Sequence, residues 1–154
     1  MILFGRLGTP NGRHRTTVRK QLEAIVLQLS AWVFVGSGIG GVLRLWCSGL
    51  LARTVGETFP WGTLAVNVLG SFLIGLVATV TGPDGRVIVG PAARQFVLVG
   101  MFGGFTTFSS FSLQTLTLAR DGQWWLAGAN VALSLALCLI AVWLGYISGM
   151  TLNR

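Results

Sequence analysis

The sequence predicts an all-α integral membrane protein of four transmembrane helices, the third of them broken. Two observations carry that prediction. Of 154 residues, 53% are hydrophobic and only 10% charged, too few polar side chains to cover a soluble globule of this size. The apolar residues also fall into four runs of about 20 residues, the length a helix needs to cross a ~30 Å hydrocarbon layer. Allotting four helices leaves no length for a separate soluble domain. One membrane domain over residues 25–154 therefore follows a basic tail, residues 1–24.

The tail holds Arg6, Arg13, Arg15, Arg19 and Lys20, most of a formal net charge of +7. A basic flank beside a span is attracted to anionic lipid and kept on the cytoplasmic side, so a lipid bilayer and no nucleic acid is the expected partner. With Gly8, Pro10 and Gly12 and little to pack, the tail is expected to be disordered, apart from a short interfacial helix near Val18 to Leu22. His14 is expected to be solvated. The apolar run that follows is too long for a signal peptide and carries Arg44, so it is a retained span.

Span one runs from about Ile25 to Leu45. Gly36, Gly40 and Arg44 follow one another at four-residue steps, so Arg44 shares the face on which small residues let another helix approach. Two readings of Arg44 stand: an anchor snorkelling to the interface, and a vestibule residue that gathers anions. Span two, about Gly62 to Thr81, is preceded by Pro60 and ended by Gly82-Pro83-Asp84-Gly85. On it Asn67 shares a side with Thr63, Gly70 and Ser71, and its amide offers two donors; it is either interhelical glue or the lining of a pathway.

Span three, about Arg94 to Ala119, contains the run Gly103-Gly104-Phe105-Thr106-Thr107-Phe108-Ser109-Ser110-Phe111, with two glycines, four hydroxyls and three phenylalanines at bilayer depth. Polar groups in hydrocarbon must find partners within the protein or in a water-lined cavity, so such an interruption marks a pathway or a binding site. Phe108 and Phe111 lie three residues apart beside a face bearing Thr107, Ser110 and Gln114. Ring edges carry partial positive charge and hydroxyls donate hydrogen bonds, so both suit a small anion stripped of water; core packing is the plainer reading of the pair. Gly103 and Thr106 bracket the interruption, whose freed carbonyls would suit a hard cation or mark a hinge. Span four, about Trp124 to Met150, places Asn130, Ser134 and Cys138 one turn apart along one face, again as glue or pathway. Cys47 and Cys138 read as small buried hydrophobes. Asp and Glu are confined to Glu23, Glu57, Asp84 and Asp121, outside the spans, which favours an anion over a proton-coupled or cation cargo. No internal repeat is visible, so any symmetry comes from a second chain.

Three segments, Gly40-Gly41-Val42-Leu43-Arg44, Gly62-Thr63-Leu64-Ala65-Val66-Asn67-Val68-Leu69-Gly70 and Gly100 through Ser112, closely resemble the CrcB/Fluc family of small fluoride channels, and the resemblance extends from about Ala31 onward. It implies a passive fluoride-selective channel formed by an antiparallel, dual-topology dimer with two pores and a central Na+. Phe108 and Phe111 match the family's pore phenylalanines and Asn67 its pore asparagine. Thr107, Ser110 and Ser134 match its polar track, Gly103 and Thr106 the backbone positions that supply sodium-binding carbonyls, and Arg44 its basic residue of span one. Two positions depart from the pattern: Gln114 stands where many relatives carry a glutamate, and Asn130 where a phenol is common, so Asn130 is carried over only by its donor chemistry.

The resemblance makes the expected partner a second copy of the chain in inverted orientation, or a separately encoded homologue. With the N terminus inside, the five tail charges join Arg86, Arg94 and Arg154 against Arg44, Arg53 and Arg120 outside, a bias that favours one orientation; without the tail the two sides balance. The function expected on this reading is passive conduction of fluoride that lowers its cytoplasmic level, in the cell (plasma or inner) membrane and without enzymatic activity. The rivals are a small dual-topology multidrug-type exporter, which should carry a membrane carboxylate, and a non-transporting structural membrane protein.

Overall fold

The computed structural model describes residues 12–56 and 58–154, and the side chains from Thr16 onward. Among these residues every regular element is helical: α1 (Gly12–Val55), α2 (Trp61–Val80), α3 (Pro91–Gln95), a π-helical turn (Phe96–Met101), α4 (Phe102–Phe105), α5 (Phe108–Arg120) and α6 (Trp124–Leu152). Four helical stretches are long and apolar enough to cross a membrane: Thr16–Val55, Trp61–Val80, Pro91–Arg120 and Trp124–Leu152. They coincide with the four hydropathic runs to within a few residues, except that the first ends at Val55, ten residues past the expected Leu45, and also starts earlier.

There the structure corrects the expectation. Residues 12–24 continue α1 without a break, where a disordered tail and a separate short helix at Val18–Leu22 were expected; the expectation for residues 1–11 falls outside the described residues. The physical reason is local. From Arg13 to Ala24 the chain has neither proline nor glycine and is rich in Arg, Lys, Gln, Leu and Glu, all good helix formers. A membrane span supplies a ready nucleus, so outward propagation avoids the costly first turn. Arg19 Nε donates to Glu23 Oε1 at 2.8 Å, an i,i+4 pair on the exposed surface. Glu23 is thus helical and falls within the stretch Thr16–Val55, but lies before the apolar run that starts near Ile25.

Close backbone approach holds the bundle. A Cβ on Gly36 would sit 2.5 Å from the Phe96 carbonyl oxygen, and one on Gly40 would strike that of Met101, so α1 lies against the third span through its buried glycines. In the same way Gly75 of α2 meets the Val142 carbonyl of α6, and Gly145 of α6 meets that of Phe72. Without a hydrophobic force between helices in lipid, such backbone-deep contact is what makes association favourable. At the C terminus, Asn153 accepts from the Arg86 N–H and donates to the Thr79 carbonyl, each at 3.2 Å, tying the end of α6 to the α2–α3 turn.

Candidate functional site

At the centre of the third span the helical ladder stops. Thr106 (φ −83°, ψ 159°) and Thr107 (φ −153°, ψ 114°) are extended, and α5 starts afresh at Phe108. The last bond of the first half runs from the Thr106 N–H to the Phe102 carbonyl at 3.0 Å. Beyond it the backbone needs other partners, and α2 supplies them. Asn67 Oδ1 accepts from the Thr107 N–H at 2.7 Å, while its Nδ2 donates to the Thr107 carbonyl at 3.0 Å. The side-chain amide therefore stands in for a peptide unit paired with Thr107. One Nδ2 hydrogen is spent in this clamp and the second is left for the neighbouring cavity. Asn67 thus joins two spans, and it also lines that cavity.

Thr107 also caps α5: its Oγ1 accepts from the Ser110 N–H at 3.1 Å, satisfying one of the four orphan donors of a helix start. The same hydroxyl donates to Ser110 Oγ at 3.0 Å, which leaves the Ser110 hydrogen free to turn outward. These diversions have a consequence for the carbonyls before the interruption. In a continuous helix Gly103 would accept from the Thr107 N–H and Thr106 from the Ser110 N–H; both donors point elsewhere.

The polar and aromatic residues are divided between two cavities open on the surface. The smaller, about 340 Å³, is lined by Asn67, Ser71, Thr106, Phe108, Phe111 and Ser134 among others, with Cys138 in its wall. The larger, about 990 Å³, is bounded by α1, α2 and α5 and takes in Arg44, Thr63, Ser110 and Gln114. Thr107 alone lines both. The sequence-derived set thus forms a row on either side of the extended pair rather than one continuous stripe. Phe108 and Phe111 pack with ring centroids 5.2 Å apart and planes tilted by 48°. Phe111 is 8% exposed and Phe108 74%, so one ring is fixed in the bundle and the other stands at its surface.

Arg44, half-buried, has no carboxylate within ion-pair distance among the described residues and lines the larger cavity. The Gln114 side-chain oxygen is buried there without a hydrogen-bond partner. Asn130, only 2% exposed, lines neither cavity. Its Nδ2 donates to Thr115 Oγ1 at 2.8 Å, and its Oδ1 accepts from the Ser134 hydroxyl at 3.5 Å. Thr115, which sequence reasoning missed, is the link between α5 and α6 and donates in turn to the Phe111 carbonyl at 2.8 Å. Its signal was its position seven residues after Phe108 and four after Phe111, on their side of the helix.

Residues 31–146 match the family described as CrcB-like protein, Camphor Resistance (CrcB). Among individual proteins, a fluoride-specific ion channel FluC of Opitutus terrae is 58% identical over 127 residues, covering 82% of this chain and 96% of its own length. The FluC of Methylocella silvestris is 53% identical over 123 residues (80% of this chain, 94% of its own). That of Rhodospirillum rubrum is 56% identical over 123 residues (80% and 95%).

Proposed function

The chain belongs to the CrcB-like family, and from that membership we propose that this multi-pass membrane protein is a fluoride-specific channel. Its family is one of ion channels rather than enzymes. The observation that carries the reading is the extended pair Thr106–Thr107 at mid-span, where hydrogen-bond donors from α2, α5 and α6 converge on cavities that also hold a phenylalanine pair.

Fluoride is small and tightly hydrated, so a path for it must replace water by donors along its length and bind it weakly enough at each to let it go. Arg44 and the cavity around it gather the anion by charge. The Ser110 hydroxyl, polarised by the bond it accepts from Thr107, offers the next donor. Past Thr107 the second Nδ2 hydrogen of Asn67, the Ser134 hydroxyl once it turns from the Asn130 Oδ1 to which it donates at 3.5 Å, and the ring edges of Phe108 and Phe111 follow in the smaller cavity. Ring edges attract an anion without fixing it, which suits passage over storage. Asn130 acts through Ser134 and Thr115. Hydrogen fluoride crosses membranes as a neutral acid and dissociates inside, so a passive path for the trapped anion lowers its level whenever the gradient points outward.

The third span works as a broken helix in this reading. The Gly103 and Thr106 carbonyls, deprived of their helical donors, fit a hard monovalent cation, and Na+ held by them would neutralise the carbonyl dipoles at the interruption. Gly103 is exposed, with open space where a Cβ would stand, so a second chain can bring the same carbonyls to the ion. The smaller cavity points the same way, because hydroxyl and amide groups open to hydrocarbon at mid-span must be covered. The cover is a second copy in inverted orientation or a close homologue.

The test is efflux from liposomes containing the purified protein. A fluoride gradient is dissipated and a chloride gradient is not; equal chloride flux would overturn the reading. Phe111→Ile, which keeps bulk and removes the ring edge, lowers fluoride flux while the protein stays folded.

A further inference from the structure

Residues 12–24 lie outside the family match, which starts at residue 31, yet they are built as part of a membrane helix. With 44 residues α1 is about 66 Å long, whereas the 20 residues of α2 reach about 30 Å. Two packing registers locate the surplus. A Cβ on Gly62 would stand 2.7 Å from the Ser48 carbonyl oxygen, so the far end of α2, about 18 residues on, is level with about residue 30 of α1. The third span runs parallel to α1, since Gly36 meets Phe96 and Gly100 while Gly40 meets Met101 and Phe105; its first residue, Pro91, is then level with about residue 29. Both place the same conclusion on α1: residues 12 to about 28 project beyond the bundle by roughly 25 Å.

This projection has two parts. Ile25, Val26 and Leu27 are 51%, 61% and 73% exposed, as residues bathed in lipid tails would be. The neighbouring turn exposes Val87 and Ile88, the latter by 98%, at the same end of the bundle. The hydrocarbon boundary therefore falls near Ile25. Lys20 and Arg19 follow about 7 to 9 Å further out, at the level of the headgroups, and Arg15 and Arg13 lie one to two turns beyond. At about 100° per residue, positions 13, 15, 19 and 20 all fall within one arc of about 160°. Such a basic side, on a helix continuous with the span, can lean onto the headgroups of the leaflet from which the span emerges. Glu23 is the one acid in residues 1–24, and Arg86 and Arg94, exposed at the same end, add to the positive rim.

We propose that the projecting start of α1 is a basic collar that binds anionic phospholipid headgroups of the leaflet from which it emerges. The full-length protein is reconstituted in phosphatidylcholine vesicles with and without phosphatidylglycerol, and the preference for each lipid is measured with spin-labelled analogues. The wild type selects phosphatidylglycerol. The variant Arg13→Gln, Arg15→Gln, Arg19→Gln, Lys20→Gln loses most of that preference, on the order of five-fold for each charge nearest the surface, as does the wild type in about 1 M salt. Trypsin provides a second readout that needs no variant: cleavage after Arg19 and Lys20 is slowed by phosphatidylglycerol and restored by salt. An unchanged preference in the variant overturns the proposal. So does cleavage at one rate in both lipids, which would leave the collar to a soluble acidic partner.

Discussion

Asn67 gives an amide to a backbone that has none of its own to offer. Its two bonds to Thr107, at 2.7 and 3.0 Å, satisfy the N–H and add a second partner to a carbonyl that, at the N-cap, also opens the first turn of α5. Asn67→Leu preserves size and leaves the Thr107 N–H unpartnered, a loss on the order of 2 kcal/mol. It also removes a donor facing the cavity. The expected result is a less heat-stable protein in detergent and a fluoride flux lowered at least about tenfold, the effect of some 1.4 kcal/mol on a barrier. Flux unchanged with stability lowered would make the residue a clamp alone. None of this could be read from one dimension. Asparagine at mid-span announces a polar need, but the residue that meets it, 40 positions away, is set only by folding; Thr115 and Asn130 escaped pairing in the sequence for the same reason.

At the level of elements the spans were legible because hydropathy and turn residues report the environment of a helix, and Pro60, Pro91 and the Asp121-Gly122 pair punctuate it. The backbone irregularities were less so. Glycines and hydroxyls between Gly103 and Ser110 signalled a costly place, whereas the π-helical turn at Phe96–Met101 has no residue signature in a purely apolar stretch. The helical start of α1 was hidden because hydropathy registers charge rather than helix propensity. Glycine spacing predicted contact faces, and their depth yields a prediction. A Cβ on Gly145 strikes the Phe72 carbonyl oxygen, backbone that cannot rotate aside. Gly145→Val should separate α2 from α6 at a cost of about 1 to 3 kcal/mol or more, seen as loss of the monodisperse peak in size-exclusion chromatography. Gly128→Val, with open space around that glycine, should elute like the parent.

For the whole molecule the informative places are those on which the proposed second copy would bear. Gly103 has nothing within 4 Å of an added Cβ, so within a single chain Gly103→Leu is tolerated by packing. If a second copy lies against it, the same change keeps the copies apart. Cross-linking in membranes is then expected to fall sharply for Gly103→Leu while the protein still folds, and flux should fall with it. Persistence of the cross-linked dimer would move the interface elsewhere. The Asn67–Thr107 clamp has a further consequence in time. Amides in short extended stretches commonly exchange their hydrogens quickly, but that of Thr107 is held by a neighbouring span and can exchange only when the two spans part. In hydrogen–deuterium exchange it should be as slow as a helix interior, and its rate would count how often the middle of the bundle opens.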